Sequence, residues 1–157
     1  MFNKKNSFNK KKLFWIYIII LFVFIAVKFK GSFYELADRV NSIKSNREEG
    51  IWNINMVPFR TMKPYLTNFF SMFAFKNILG NILPFIPFGF LLPIAYNKSF
   101  FQVLFISFIS IIFIEIFQLV TMLGYCDIDD IILNLIGCMI GYGIFCCYQH
   151  CLRKEIY

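Results

Sequence analysis

The side chains that could do chemistry are a few acids and amides set in apolar sequence. Glu115 is the only charged residue well inside an apolar run, and Gln118 follows three positions later, on the same face of a helix. Charged groups inside a membrane are costly and rare, so each is a candidate functional residue. Glu115 is therefore the predicted catalytic residue if the protein is an enzyme, acting as a general acid or base.

A second polar group surrounds the acidic segment that follows. Asp127, Asp129 and Asp130 lie close together, Asp130 and Asn134 share a helical face, and Asn81 begins an earlier apolar run. We predict a polar pocket that adds five residues to Glu115: Asn81, Gln118, Asp127, Asp130 and Asn134. The structural alternatives are that Asp127 or Asp129 caps a helix, and that the amides join helices by hydrogen bonds.

The acidic side chains could also bind a hard cation. Carboxylate oxygens are the ligands that Mg²⁺ or Ca²⁺ prefers, but a helix cap explains most of the same pattern, so we predict no metal and no cofactor. The five cysteines show no metal-binding spacing, and the sequence has no Ser-His-Asp or phosphate-loop pattern. The lack of a nucleophile paired with a base favours a binding function over catalysis.

The composition is that of an integral membrane protein. Hydrophobic residues make up 59% of the chain, charged residues 16%, and the mean hydropathy is +0.64, whereas soluble domains average roughly 45–50% apolar and about 25% charged residues. These values exclude a soluble, disordered or disulfide-stabilised domain. The net charge of +7 is attributed to membrane topology and to anionic lipids; without a nucleic-acid-binding motif, no nucleic-acid partner is expected.

Four apolar segments approach the roughly 20 residues that a helix needs to cross a bilayer. They cover about 13–29, 78–96, 101–123 and 131–148, after a basic arm at 1–12. The first segment could instead be a signal peptide, although no small-residue cleavage site follows it. Gly137 and Gly141 predict close helix packing in the last segment. We therefore predict a single all-α membrane domain over 1–157, a bundle of four transmembrane helices.

The distribution of Lys and Arg predicts the orientation of these helices. The arm at 1–12 carries five Lys. Lys98 lies between the second and third spans, and Arg153 and Lys154 follow the fourth. The segment 124–130, between the third and fourth spans, has three Asp and no base. Both termini are therefore expected to be cytoplasmic in the cell membrane. This orientation places the polar residues in the outer half of the bilayer.

The segment between the first two spans is expected to lie outside. The spacing of apolar residues from Phe33 predicts an amphipathic helix that ends near Asn46. Pro58 keeps the residues before it extended. The aromatic segment Tyr65–Phe75 is too short to span, so we predict an interfacial or re-entrant piece.

Four motifs occur in order along the chain. They are Asn55-x-x-Pro58-Phe59; Asn81 followed by Pro87-x-Gly89; Glu115-x-x-Gln118; and Asp127-x-x-Asp130-x-x-x-Asn134-x-x-Gly137. Together, over residues 13–148, they resemble the VanZ-like family of small bacterial membrane proteins. That family often has an Arg shortly before the acidic block, and here the segment 122–126 has no base.

The resemblance implies a role in the cell envelope, since named members confer low-level resistance to glycopeptide antibiotics of the teicoplanin type. One hypothesis is a non-enzymatic protein that binds the drug or an envelope lipid at an outer-leaflet polar pocket. The other is a membrane-embedded enzyme that modifies a lipid-linked cell-wall precursor, with Glu115 as general acid or base. The expected partners are membrane lipids and one of these ligands, and nothing in the sequence indicates an oligomeric state.

Overall fold

The computed structural model describes residues 4–27, 33–63 and 72–154, and these form five helices and two short strands. In chain order they are α1 (Lys4–Val27), α2 (Phe33–Glu48), β1 (Ile54–Asn55), α3 (Met72–Tyr96), α4 (Phe100–Thr121), β2 (Cys126–Asp127) and α5 (Ile128–Lys154). The helical class predicted from composition is confirmed. The parallel pair of β1 with β2 was not predicted.

Three helices of the described part are long and apolar enough to cross a membrane. The candidate spans are Asn77–Tyr96 in α3, Phe100–Thr121 in α4 and Ile128–Leu152 in α5. α1 is not among them. Three of the four predicted spans, those in α3, α4 and α5, are therefore found as candidate membrane spans.

Several helix boundaries differ from the predicted ones. α1 already begins at Lys4, within the predicted arm, because that arm contains no Pro or Gly to stop the helix. α4 ends at Thr121, and Met122 follows in the left-handed conformation (φ 58°) that closes many helices. α5 begins at Ile128, so Asp129 and Asp130 belong to its first turn and not to a loop. Carboxylates are favoured there by the helix dipole.

The predicted amphipathic helix is present as α2. It ends at Glu48, two residues beyond the predicted end at Asn46. On its apolar side, Ile43 is fully buried, whereas Phe33 at the start of the helix is exposed. The predicted interfacial segment Tyr65–Phe75 falls mostly outside the described residues. Its last four residues, 72–75, belong to α3.

α3 and α5 form the closest helix pair, because glycines remove side chains from their interface. A Cβ atom at Gly89 would overlap the backbone carbonyl of Cys138, and one at Gly141 would overlap the carbonyl of Ile86. Gly137 meets α3 in the same way. The close packing predicted from Gly137 and Gly141 is confirmed.

α1 packs against α3 through aromatic side chains. The indole N–H of Trp15 donates to the Tyr96 hydroxyl at 2.8 Å, the Tyr17 hydroxyl donates to the Pro84 carbonyl, and the Phe14 ring packs edge-on against nearby rings of α3. These contacts hold α1 along the bundle formed by α3, α4 and α5.

Candidate functional site

A short parallel ladder joins the loop after α2 to the turn between α4 and α5. Ile54 pairs with Cys126 and Asn55 pairs with Asp127. The Cys126 N–H also donates to the Asn53 carbonyl at 3.0 Å. The ladder brings polar side chains of the loop to the acidic segment, and the candidate site is built around this junction.

Asp127 lies at the centre of the junction. Its Oδ1 accepts the Asp129 N–H at 2.9 Å and the Asn55 side-chain amide at 3.0 Å, and its Oδ2 accepts the Thr61 hydroxyl at 2.6 Å. Its own N–H donates to Oε2 of Glu115 at 3.1 Å. The bond to Asp129 is an N-terminal cap of α5, so the capping alternative holds for Asp127.

Asp129 binds the backbone of the loop. Its Oδ1 accepts the Phe59 N–H at 2.6 Å, and its Oδ2 accepts the N–H groups of Thr61 and Met62 at 2.9 and 3.0 Å. The carboxylate is almost fully buried, and bonds from N–H groups to a charged acceptor are strong. The sequence indicates only a cap or a metal ligand at Asp129, because nothing in it connects this residue with Phe59, 70 positions earlier.

Glu115 and Gln118 are both buried, as expected for residues on one face of α4. Glu115 is 1% exposed and Gln118 0%. Gly124 lies directly over Gln118, since a Cβ atom at Gly124 would be 2.8 Å from the Gln118 Oε1. The turn after α4 therefore covers this pair and carries Asp127 back over Glu115.

Asn81 and Asp130 join α3 to α5. The Asn81 amide donates to Oδ1 of Asp130 at 2.5 Å, which is the interhelical role weighed for the amides. Asn134 is 1% exposed, and its amide atoms have no hydrogen-bond partner among the described residues. The predicted residues are thus brought together as two pairs, Asn81 with Asp130 and Glu115 with Asp127, beside a buried Asn134.

Two arginines of α2 reach the end of α4. Arg39 donates to the Leu123 carbonyl at 3.1 Å, and Arg47 donates to the Leu119 carbonyl at 2.5 Å. Arg47 also makes two bonds, of 2.9 and 2.6 Å, to the side-chain oxygen of the buried Asn53. Cations are favoured at helix C-termini. The segment 122–126, which has no base of its own, is therefore contacted by Arg39 of α2.

An apolar groove that the sequence does not predict runs between α1, α3 and α4. It has a volume of about 580 Å³ and extends from Trp15 to Val23 on α1 and from Ile109 to Ile114 on α4. The polar lining residue Ser110 uses its hydroxyl to bond the carbonyl of Ile106 at 2.9 Å. Ligand pockets in proteins usually measure about 300–1,000 Å³, so the groove is large enough for an apolar chain.

Comparison with known proteins places the whole bundle in one family. The family model described as VanZ/LLP1 matches residues 14–149. The chain belongs to the VanZ/LLP1 family. A curated relative, Protein VanZ of Enterococcus faecium, is 33% identical over 82 residues, which make up 51% of this chain and 50% of the relative. No solved structure matches.

The matched stretch thus covers about half of the curated VanZ relative. Family membership, together with the three apolar helices, fits a membrane protein. The resemblance inferred from the motifs is confirmed over almost the same residues.

The buried carboxylates of this VanZ/LLP1 protein are bound by hydrogen-bond donors of the protein itself. Within residues 4–27, 33–63 and 72–154, no group of three or more His, Cys, Asp or Glu side chains is arranged to hold a metal ion. The carboxylates of Asp127 and Asp129 instead accept N–H and O–H groups. Their positions serve to fix the loop on α5.

Cys126 lies in the same junction as a buried thiol. Burial raises the pKa of the Cys126 thiol, and the negative charges of Glu115 and Asp127 raise this pKa further. Because the thiolate is the nucleophilic form of cysteine, Cys126 is not an activated nucleophile.

Proposed function

We propose that this protein acts in the cell membrane of the bacterial envelope and lowers susceptibility to lipophilic glycopeptide antibiotics of the teicoplanin type. It does so by binding the drug or an envelope lipid. Membership of the VanZ/LLP1 family supports the link to resistance. The apolar groove of about 580 Å³ supports a ligand with a long hydrocarbon chain, and it is the observation on which the proposal rests.

The proposal includes a fourth span formed by α1. α1 carries most of the predicted span 13–29, whose 17 residues are at the short end of the roughly 17–25 that a transmembrane helix uses. Its contacts with α3 run from Phe14 to Tyr17, and Phe22 packs against Phe117 of α4 at 5.0 Å between ring centroids. With both termini cytoplasmic, the junction around Asp127 lies on the outer side, together with α2.

The groove and the polar junction are neighbours along α4. Phe22 lines the groove and contacts Phe117, which lies between Glu115 and Gln118 in the sequence. In the proposed complex the hydrocarbon chain occupies the groove, and the polar part of the ligand lies toward the junction. This arrangement extends the predicted polar pocket by an apolar compartment.

The alternative, an enzyme with Glu115 as general acid or base, has less support. Glu115 is almost fully buried, and its Oε2 already accepts the N–H of Asp127. A general acid or base must reach the proton that it transfers. The buried position favours a structural role for Glu115, in which it holds the turn that carries Asp127.

A matched pair of variants in α4 tests the binding proposal. Ile109 lines the groove and Ile116 does not, and the two side chains are 52% and 51% exposed. In a susceptible bacterium that expresses equal amounts of each variant, Ile109→Trp should abolish protection against an acylated glycopeptide, because the larger side chain fills the groove. Ile116→Trp should retain protection. A glycopeptide without the acyl chain serves as the second drug, against which little protection is expected.

The outcomes separate the hypotheses. Equal protection by both variants would exclude the groove as the binding site. Mass profiles of envelope lipids and lipid-linked precursors, measured with and without the protein, address catalysis. A new covalent product that disappears in Glu115→Gln would establish the enzyme and refute the binding proposal.

A further inference from the structure

The loop after α2 exposes a run of large apolar side chains. Trp52 is 62% exposed and Phe59 57%, and Ile51, Met56 and Val57 are also exposed. Exposed apolar side chains are normal when they are scattered, but a contiguous patch indicates a surface that is covered by something else. The loop 51–59 is therefore a candidate contact surface.

The backbone of this loop is firmly held, which shows that the exposure is built into the fold. Asp129 accepts the N–H of Phe59, and the Asn55 side chain accepts the N–H of Val57 at 3.3 Å. Phe59 adopts a left-handed conformation (φ 62°), which is uncommon for a bulky residue and is kept only where the surrounding structure holds it in place. The guanidinium of Arg47 lies 4.9 Å from the centre of the Trp52 ring.

The position of the loop identifies what covers it. β1 pairs with β2, and β2 lies between two candidate membrane spans, so the loop lies where those spans end. At this level of a bilayer the hydrocarbon gives way to lipid head groups, and aromatic side chains are enriched there. The exposed basic residues Arg60 and Lys63 follow the apolar run, and bases beside apolar side chains are typical of segments that bind anionic membrane surfaces.

We propose that the loop 51–59 inserts into the lipid leaflet at this end of the bundle, with Trp52 and Phe59 as its anchors. The inference goes beyond the proposed function, since it needs neither a drug nor a particular orientation of the chain. It explains why the fold holds an aromatic residue outward in an unfavourable backbone conformation. The partner is the bilayer in which the protein itself resides.

Tryptophan fluorescence tests the insertion directly. The chain has two tryptophans, Trp15 and Trp52, so Trp15→Phe leaves the loop residue as the only reporter. A second protein, Trp15→Phe/Trp52→Phe/Phe59→Trp, reports on the tip of the loop. The matched control is Trp15→Phe/Trp52→Phe/Glu49→Trp, in which the only tryptophan replaces an exposed polar residue beside the loop. Each protein is reconstituted into vesicles of phosphatidylcholine and phosphatidylglycerol, with or without bromine on the acyl chains.

We expect brominated chains to quench both loop reporters by about twofold or more, as is expected for aromatic side chains at the membrane interface. Aqueous iodide should quench mainly the Glu49→Trp control. If iodide quenches all three reporters equally and brominated lipid has no effect on the loop, the proposal is wrong, and a protein partner becomes the better explanation of the patch. Because the vesicles contain no antibiotic, failure of this test is distinct from failure of the proposed function. The Trp52 reporter keeps the test valid if Phe59→Trp does not fold.

Discussion

Adding one methyl group at Gly141 should separate the two most closely packed helices. The new Cβ of Gly141→Ala would overlap the Ile86 carbonyl and lie 2.9 Å from the Phe90 backbone nitrogen. Backbone atoms cannot rotate away as a side chain can, so α3 and α5 must shift. Overpacking of this kind typically costs about 1–3 kcal/mol.

A neighbouring glycine isolates this effect from helix propensity. A Cβ at Gly143 has no atom within 4 Å, so Gly143→Ala changes only the propensity, which favours Ala by about 1 kcal/mol. Gly141→Ala gains the same propensity and loses the packing. We therefore expect Gly141→Ala to be less stable than Gly143→Ala by about 1–3 kcal/mol.

The assay is reversible denaturation of the purified full-length protein in mixed micelles, followed by circular dichroism. Gly143→Ala should unfold at the same or a higher denaturant concentration than the parent protein, and Gly141→Ala at a lower one. Equal midpoints for the two variants would contradict the reasoning, because they would show that α3 and α5 are not in backbone contact at Gly141. Gly89→Ala and Gly80→Ala provide an independent pair of the same design on α3.

The remaining predictions concern the polar junction and the orientation. Asp129→Asn puts an amide NH₂ where the loop N–H groups need an acceptor, so the attachment of the loop should weaken by about 1–3 kcal/mol. Trypsin should then cut faster at Arg60 than in the parent protein, and unchanged cleavage would show that the Asp129 carboxylate does not hold the loop. A membrane-impermeant maleimide should label Asn46→Cys in intact cells, and labelling only after lysis would reverse the orientation. Glu115→Gln removes one of the charges that raise the pKa of Cys126. That pKa should fall, and alkylation of the thiol in the purified protein at mildly alkaline pH should be faster than in the parent, provided that circular dichroism shows the same fold.

Much of the fold follows from local sequence properties. Apolar length and composition predict the helices α3, α4 and α5, and the spacing from Phe33 predicts α2. The same rules correctly place Glu115 with Gln118 on a buried face, and Gly137 with Gly141 at a close helix contact. All of these features depend on residues within a few positions of one another.

The contacts that were not predicted depend on residues far apart in the sequence. Asp129 meets Phe59 from 70 positions away, and Arg47 meets the end of α4 from 72 positions away. Two-residue strands carry no alternation that could reveal β1 or β2. The apolar groove is likewise a property of how three helices pack, and no single helix shows it.

The pairing of β1 with β2 has a consequence for the biosynthesis of the chain. Asn55 and Asp127 are 72 positions apart, and the whole of α3 and α4 lies between them. During synthesis, β1 therefore has no partner until both helices are inserted, because only then does β2 lie on the same side of the membrane as β1. If α4 failed to insert, the strands would lie on opposite sides of the membrane, and the loop N–H groups that Asp129 binds would stay open. The ladder thus forms only in molecules in which both helices are inserted. A membrane protease that cleaves open loops would therefore degrade misinserted molecules and leave correctly inserted ones intact.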